Sequence, residues 1–515
     1  MTKKFTRRDV VKIGGGVALG AGLLPTLSQL VLAESAKDVL VIAWPNDVQS
    51  WDVVAHTQAP AMPMFKAVFD QPLDQSPDLK LGPGVVRSWK WIEEGKVLEL
   101  TFRDDVVFHN GDKMTTADFR FSYFERPKED GKLGIAATIF RNLEDIEIKS
   151  PTVALVKLKQ AFPTLLNWMA LFTSFIMPKK YFTEIGGKEK FLEKPVGSGP
   201  YKLVEYQRGS RMVFEAFDKY WGPKPKVKRV VVQILKDASA RVAAVQSKQV
   251  DIAYDVPLKE AVRLGKIPGL KSIIAPVTNI VLLQIKNDGP TADQNVRLAM
   301  HHAIDKRAIS RALYEGLAPA ISFLGVPGMP GEPKGFEFTY DPKKSVELLK
   351  KSGYSTEKPA KFVFNSFRGV FPGDWEMANI LAQMWKKVGI EVTIEQLEQP
   401  QYYELNHSGK LQGVTLFNWA NPSADPELFT GYIMNPKLRY SAWKSADMEP
   451  IMGKLFQESN YDKRIKEYEK VNRMVMEQAY SIPILQQVGT IAHTDKVTIN
   501  WYKSGWIRYA EISKA

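Results

Sequence analysis

The segment from Met377 to Leu397 constrains the fold of this 515-residue chain more than any other part of the sequence. Apolar residues recur there at helical spacing, Gly389 follows, and apolar and polar residues then alternate as in a half-buried strand. The helical positions are Met377, Ile380, Leu381, Met384, Trp385 and Val388, and the strand positions are Ile390, Val392 and Ile394. A helix that leads directly into a strand is the building unit of layered α/β folds.

Other segments repeat this alternation of helix and strand. Residues 239–247 predict a helix, and Val250 to Tyr254 predict a strand directly after it. Asp341 followed by Pro342 predicts the start of another helix, because Asp is a common N-cap and Pro suits the first helical position. No period of 20–50 residues repeats, so a solenoid or propeller is not expected. The sequence predicts an α/β fold.

Two segments give less regular predictions. Thr115 to Asp118 has the spacing of a capping box ahead of an aromatic helix, which Pro127 should end. The uncharged run Gln160 to Pro178 is long enough to suggest a membrane span. Pro163 and Asn167 favour instead a buried helix, followed by a strand over 172–177.

The chain is too long for one compact domain. Of its residues 44% are hydrophobic and 25% are charged, which is enough apolar material for a large core. We therefore expect two or three lobes.

The N-terminus has the layout of a signal peptide. Lys3, Lys4, Arg7 and Arg8 precede the uncharged, glycine-rich stretch from Ile13 to Ala33. We predict cleavage after Ala33, in preference to an uncleaved anchor. Residues 6–12 resemble a twin-arginine export signal. Loss of residues 1–33 removes five positive charges and one negative charge, so the net charge falls from +13 to +9. We interpret the remaining excess of positive charge as lysines scattered over the surface, which aid solubility. We expect no nucleic-acid partner.

The sequence offers little support for catalysis. There is no cysteine, which excludes disulfides, thiolate metal sites and a cysteine nucleophile. The histidines form no helical ligand pair, so we predict no metal site and no cofactor; they are His56, His109, His301, His302, His407 and His493. No nucleophile elbow, phosphate loop or dinucleotide fingerprint occurs. An exported hydrolase stays open as the less favoured alternative, with its catalytic groups drawn from distant segments.

Several short motifs follow one another in a characteristic order along the chain. They are Phe108-His109-Asn110-Gly111, Thr116-Ala117-Asp118-Phe119, Pro195-Val196-Gly197-Ser198-Gly199-Pro200-Tyr201, Tyr220-Trp221-Gly222, Val250-Asp251-Ile252-Ala253, Val296-Arg297-Leu298-Ala299, Ala303-Ile304-Asp305 and Tyr340-Asp341-Pro342. Each motif alone is weak, but the ordered set resembles the ABC-transporter solute-binding proteins of the oligopeptide, dipeptide and nickel class, known as extracellular solute-binding protein family 5. The resemblance covers nearly all of the chain after residue 33.

The resemblance implies a fold and a function. The fold would have two α/β lobes, a hinge of two strands and an additional subdomain in lobe one. Lobe one would comprise residues 34–276 and 490–515, and lobe two residues 277–489. The chain would be a periplasmic monomer that encloses a small ligand between its lobes and delivers it to ABC permease subunits. It would not be an enzyme. A sensor for a signalling partner would need the same cleft and stays open.

The resemblance also implies ligand-binding residues in lobe two. Arg368 matches an arginine that holds the ligand carboxylate in dipeptide-binding members, and Trp419 matches a pocket aromatic. The acid that pairs there with a peptide amino group falls on Pro422, unless a gap moves Asp425 into its place. Asp425 would otherwise cap a helix that begins at Pro426.

Further candidates surround these positions, namely Asn421, Phe367 and Tyr402 in lobe two, and Trp44 and Asn46 at the end of the first strand. Arg368 without an acidic partner for an amine predicts an anionic ligand that needs no α-amine. Candidates are an acidic opine, a sugar phosphate conjugate, an organic acid or a capped peptide. Two alternatives stay open: the ligand is an ordinary peptide, or Arg368 pairs with a neighbouring acid such as Asp374.

Overall fold

A computed structural model describes residues 37–54, 59–93, 95–130, 137–172 and 174–515. The predicted signal peptide and His56 lie outside the described residues. Within these ranges, no helix is both long enough and apolar enough to cross a membrane.

The strands are spread over the whole described chain. In order they are β1 (Val39–Trp44), β2 (Leu73–Gln75), β3 (Leu81–Pro83), β4 (Val86–Glu93), β5 (Val97–Phe102), β6 (Leu143–Ser150), β7 (Val153–Leu158), β8 (Tyr201–Gln207), β9 (Arg211–Ala216), β10 (Arg229–Ile234), β11 (Ile252–Tyr254), β12 (Leu270–Ile285), β13 (Ala360–Ser366), β14 (Ile390–Gln396), β15 (Val414–Ala420), β16 (Ser481–Thr494), β17 (Val497–Thr498) and β18 (Ser513–Lys514).

The α-helices lie between the strands. In order they are α1 (Met62–Val68), α2 (Thr116–Arg120), α3 (Arg126–Asp130), α4 (Ala137–Asn142), α5 (Leu165–Trp168), α6 (Lys179–Glu184), α7 (Lys188–Glu193), α8 (Ala238–Gln246), α9 (Leu258–Leu264), α10 (Gln294–His302), α11 (Lys306–Tyr314), α12 (Pro342–Lys351), α13 (Asp374–Lys386), α14 (Gln399–His407), α15 (Thr430–Met434), α16 (Met448–Leu455) and α17 (Tyr461–Glu477).

One sheet of ten strands runs through the molecule in the order β14-β13-β15-β12-β16-β11-β1-β10-β9-β8. We call β1–β11, β17, β18 and helices α1–α9 lobe one, and we call β13–β15 with α10–α17 lobe two. An antiparallel sheet in the order β4-β5-β7-β6 forms the additional subdomain of lobe one. The predicted α/β fold with two lobes is thus confirmed.

The long strands β12 and β16 join the two lobes. They pair in antiparallel register from Leu270 opposite Thr494 to Pro276 opposite Val488, and again from Ile280 opposite Gln486. Between Pro276 and Ile280 the register shifts, and the N–H of Thr278 donates instead to the carbonyl of Lys503 (2.9 Å). The lobe boundaries predicted at 276/277 and 489/490 stay a prediction, because both strands are continuous across these positions.

Strand β1 is buried on both faces. Leu40, Ile42 and Trp44 belong to one hydrophobic core, whereas Val39 and Val41 belong to another on the opposite face. Successive side chains of a strand point to opposite faces, so helices and loops must cover both sides of this sheet.

The helix and strand predicted over residues 377–397 are confirmed as α13 and β14. Trp385 of α13 packs against Phe364 of β13, with ring centroids 5.0 Å apart, and its indole N–H donates to the carbonyl of Met300 (3.1 Å). The apolar face of α13 is thereby buried in the core of lobe two.

The capping box predicted at Thr115 is confirmed, because the Thr115 hydroxyl accepts from the N–H of Ala117 and the Asp118 carboxylate accepts from the N–H of Thr115. The end predicted at Pro127 is wrong. A π-helical turn over Phe121–Glu125 leads directly into α3, in which Pro127 is the second residue and its missing N–H costs little.

Most of the described residues of the run from Gln160 to Pro178 are buried in the core, as predicted, but the helix of this run is only the single turn α5. No strand forms over the described residues 174–177. The N–H of Ile176 instead donates to the carbonyl of Asp70 (3.0 Å) in an irregular connection.

Candidate functional site

The carboxyl ends of parallel strands from both lobes meet at one cleft. In lobe one, β1 is parallel to β10 and β11, and in lobe two, β13 is parallel to β14 and β15. Ligands of open α/β sheets bind at the carboxyl ends of strands. The loops that follow β11 and β13 line a common groove of about 400 Å³.

Arg368 lies in this groove, two residues after the end of β13. Its side chain is exposed, and its guanidinium carbon lies 5.6 Å from the ring centroid of Trp375. Asp255 lines the same groove from lobe one. Within the part of the chain that the structure describes, the guanidinium of Arg368 has no carboxylate within 4.0 Å.

Asp374, the first residue of α13, fixes the loop that carries Arg368. Its carboxylate is buried and accepts hydrogen bonds from the backbone N–H groups of Gly369 (3.0 Å), Val370 (2.8 Å) and Phe371 (3.3 Å). The alternative that Arg368 pairs with Asp374 is therefore not what the structure shows. Asp374 binds the backbone and leaves the guanidinium available.

Trp419 lies near the end of β15 and is half-buried. Its indole N–H donates to the carbonyl of Leu428 (2.5 Å), and its ring meets the edge of Tyr440 at a centroid distance of 5.3 Å. The ring also lies 6.5 Å from that of Tyr432, and it packs against two core clusters, one of which contains residues of both lobes. Trp419 thus lies where the lobes meet.

The loop from Asn421 to Leu428 follows Trp419 and is held by its own side chains. Buried Asn421 donates to the carbonyl of Asp425 (2.7 Å) and accepts from the hydroxyl of Ser423 (2.6 Å). Asp425 accepts from the N–H of Glu427 (3.0 Å), which confirms the predicted N-cap. Both candidates are therefore engaged within the loop.

Asp425 also forms a buried ion pair. Arg464 of α17 donates through both terminal nitrogens to the two carboxylate oxygens, at 2.9 and 2.5 Å, and both side chains are less than 5% exposed. Bidentate pairs of this kind are strong and directional. The Asp425 carboxylate consequently already has a cationic partner within the protein.

The same loop contacts lobe one. Gln75 donates to the carbonyl of Pro422 (2.8 Å), and the hydroxyl of Thr164 donates to Glu427 (2.6 Å). Burial raises the pKa of Glu427 above its ordinary value, and the guanidinium of Arg464 opposes part of that rise. The loop from Asn421 to Leu428 is therefore a polar contact between the lobes.

Phe367 and Tyr402, predicted as aromatic walls of the site, are both fully buried. They pack with Phe417 in a core cluster of lobe two, and the Tyr402 hydroxyl donates to Gln284 (2.9 Å). The prediction that Phe367 and Tyr402 line the ligand site is therefore wrong, because neither side chain has free surface for a ligand. The side chain of Phe367 points into the core, on the opposite side from the exposed Arg368.

Trp44 and Asn46 follow different patterns at the end of β1. Trp44 is 1% exposed and stacks on Tyr254 of β11, with centroids 3.9 Å apart. The exposed Asn46 lies in the loop that follows. Trp44 thus packs against the residue that precedes Asp255 and presents almost no surface of its own.

Sequence reasoning missed Asp255, Trp375 and Tyr440. A signal for Asp255 was present, because it directly follows the predicted strand Val250 to Tyr254, and polar residues at the carboxyl end of a parallel strand are candidates for binding. Trp375 lines the groove, and Tyr440 lies against Trp419; neither ring belongs to a motif of the sequence.

A second cavity, of about 360 Å³, lies entirely within lobe one. Its charged residues already have partners: Arg508 and Lys66 pair with Asp74, and the Asp70 carboxylate accepts from the indole N–H of Trp221 (2.9 Å). Because these groups are already partnered, we assign the functional site to the groove of Arg368. In the described ranges, no three His, Cys, Asp or Glu residues are arranged to hold a metal ion.

A family model and the sequences of two characterised proteins match this chain. The family model of the bacterial extracellular solute-binding proteins, family 5, matches residues 80–437. The chain is 26% identical over 434 residues to the dipeptide-binding protein of Escherichia coli, and 25% identical over 431 residues to the nickel-binding periplasmic protein of the same organism. These matches cover 78% and 79% of this chain and 80% of each relative.

A solved structure is similar to this fold over nearly its whole length. NikA from Brucella suis, in complex with Fe(III)-EDTA, superimposes with a TM-score of 0.83 at 21% identity, and the match covers 93% of this chain and all of that one (100%). With two lobes, a cleft at facing strand ends and a family match over more than half of its length, the chain belongs to the bacterial extracellular solute-binding proteins, family 5.

Proposed function

We propose that this protein is the solute-binding subunit of an ABC importer and that it captures a small ligand with an anionic group between its lobes. Family membership supports the binding role, and the named relatives bind dipeptides and nickel. Ligand contacts made by both lobes would favour a closed form that permease subunits recognise.

The observation that carries the anionic ligand is the state of Arg368. Its guanidinium is exposed in the cleft, its loop is fixed by Asp374, and the ring of Trp375 lies beside it. A planar guanidinium binds carboxylate or phosphate through two parallel hydrogen bonds. Because Pro422 occupies the position of the amine-binding acid, a ligand of this cleft needs no α-amine at that point.

The N-terminal sequence supports export of the protein. The basic start, the uncharged stretch and the arginine pair Arg7-Arg8 support transport by the twin-arginine route, cleavage after Ala33 and a periplasmic location. We propose that the protein acts there as a monomer. N-terminal sequencing of the protein from the periplasm would test the cleavage position directly.

Isothermal titration calorimetry tests the role of Arg368. An organic diacid, a sugar phosphate, a capped dipeptide and an ordinary dipeptide are titrated into the wild-type protein, Arg368→Ala and a control variant. For an anion that binds the wild type, Arg368→Ala should weaken binding roughly 10- to 100-fold, since a charge-assisted hydrogen bond is worth about 1.5–3 kcal/mol.

Arg307→Ala is the matched control. Arg307 is exposed and lies two residues after Asp305. Asp305 lines a separate groove together with Lys387, which follows the carboxyl-terminal end of α13, whereas Arg368 precedes the amino-terminal end of that helix. This variant should bind as the wild type does. If ordinary dipeptides bind tightly, and bind Arg368→Ala equally well, the proposal fails.

A further inference from the structure

Asp255 is the counterpart of Arg368 on the other side of the groove. It follows β11 directly, its side chain is exposed, and its backbone adopts a left-handed conformation with φ of 53°. Such a conformation is unfavourable for most residues and is kept where the surrounding structure imposes it. Within the described ranges, the Asp255 carboxylate has no cationic partner within 4.0 Å.

A buried arginine imposes this conformation. Arg241 of α8 is 3% exposed and donates to the carbonyls of Asp255 (2.6 Å) and Tyr254 (3.0 Å), and also to the carbonyl of Leu235 (2.8 Å) after β10. The N–H of Asp255 donates to the carbonyl of Thr490 (2.9 Å). Both backbone groups of Asp255 are therefore fixed while its carboxylate stays free.

In each lobe a buried charged side chain fixes the backbone of a loop, and a second side chain of the opposite charge stays exposed. In lobe two, the buried acid Asp374 binds backbone N–H groups and leaves the cation Arg368 free. In lobe one, the buried cation Arg241 binds backbone carbonyls and leaves the acid Asp255 free. The free groups have opposite charge and line the same groove of about 400 Å³ without forming an ion pair.

We propose that Asp255 is the lobe-one anchor for a cationic group of the ligand, so that the ligand is a zwitterion whose ammonium or guanidinium group binds Asp255 while its anionic group binds Arg368. This inference rests on the proposed function of the cleft. A ligand that carries both charges satisfies both lobes at once and links them in the closed form. A simple anion would leave the Asp255 carboxylate desolvated and unpaired, which is unfavourable.

The test compares zwitterions with an anion of matched length. The zwitterions are ε-aminocaproate and γ-guanidinobutyrate, and the anion is heptanoate, in which a methyl group replaces the ammonium group of ε-aminocaproate. Binding to the full-length mature protein is measured by calorimetry at up to millimolar concentration. We expect at least one zwitterion to bind about tenfold or more tightly than heptanoate.

Variants separate the two anchors. Asp255→Asn should weaken binding of the zwitterion about tenfold or more and should not weaken binding of heptanoate, which loses its unpaired carboxylate neighbour, whereas Arg368→Ala should weaken both. Asp495→Asn is the matched control. Asp495 is an exposed acid that directly follows β16. Because β16 is antiparallel to β11, Asp495 lies beside the amino-terminal end of β11, whereas Asp255 follows its carboxyl-terminal end. The Asp495→Asn variant should bind as the wild type does.

Each outcome decides the question. Equal binding of zwitterion and heptanoate, unchanged zwitterion binding by Asp255→Asn, or no zwitterion binding at all would overturn the role of Asp255. If Arg368→Ala weakens the anion while Asp255→Asn changes nothing, this inference fails and the proposed function stands. If Arg368→Ala changes nothing for any ligand that binds, the proposed function fails as well.

Discussion

Two loops of lobe two follow neighbouring strands, and both carry charged residues, yet they differ in what those charges can do. In the loop after β13, Asp374 binds only backbone N–H groups, so Arg368 stays exposed. In the loop after β15, Asp425 binds Arg464, and both are buried. An acid that accepts hydrogen bonds from backbone N–H groups leaves a nearby cation available to a ligand. An acid that pairs with a cation makes both charged groups unavailable to a ligand.

The largest effect is expected from breaking the buried pair of the second loop. Arg464→Met leaves the carboxylates of Asp425 and Glu427 buried without a cation, and should lower the free energy of unfolding by about 3–5 kcal/mol in urea denaturation. Arg473→Met on the same helix is the control, since the half-buried Arg473 donates a hydrogen bond to the carbonyl of Lys334 and lies over the ring of Phe336 (6.0 Å), with no carboxylate within 4.0 Å among the described residues. Equal losses in the two variants would show that the pair has no special role.

The pH dependence of stability sharpens the comparison. Burial raises the pKa of Glu427 from an ordinary value of 4.5, so above pH 4.5 the unfolded chain releases a proton that the native protein keeps. The free energy of unfolding of the wild type, relative to Glu427→Gln, should therefore fall as pH rises from 4.5 towards neutrality. Each pKa unit corresponds to about 1.4 kcal/mol.

Glu458→Gln provides the control of opposite sign. The hydrogen bond from Lys463 lowers the pKa of Glu458, so its contribution is present above pH 4.5 and is lost as pH falls. The wild type should gain stability over Glu458→Gln as pH rises. Parallel pH profiles for the two variants would contradict the assignment of a raised pKa to Glu427.

The smallest effect is expected in the first loop. Asp374→Ala removes the acceptor of the backbone N–H groups of Gly369 to Phe371 and should cost about 1–2 kcal/mol of stability, with weaker binding of anions because the Arg368 loop is no longer fixed. Asp462→Ala, at an exposed acid in the first turn of α17, should change stability by less than about 0.5 kcal/mol. An Asp374→Ala variant with unchanged stability and affinity would show that the loop does not depend on this carboxylate.

The sequence was sufficient for the fold class because hydrophobic periodicity and caps are local signals. The α13–β14 unit and the N-caps at Asp341 and Asp305 depend on residues a few positions apart. Pro127 misled because a proline near the start of a following helix has the same local sequence as one that ends a helix.

The site was only partly predictable, because a motif does not specify which groups become partners in space. Asp425 meets Arg464, which lies 39 residues further along the chain, and Phe367 turns into an aromatic core beside Phe417. Arg368 and Asp255 come together only because the carboxyl ends of β13 and β11 face one cleft. Exposure is a property of the fold, and residue type alone does not determine it.

The register shift between Pro276 and Ile280 limits how the lobes can move. A strand that slipped by one residue against its partner would turn every core side chain towards the opposite face, so sliding of β12 along β16 is forbidden by packing on both sides of the shift. Rotation about the peptides between Pro276 and Ile280, which lie outside the β12–β16 ladder, is the motion that keeps the strand pairing on both sides of the shift intact. The two lobes can therefore rotate about a hinge of fixed register, and each closure brings Arg368 and Asp255 back to the same relative positions.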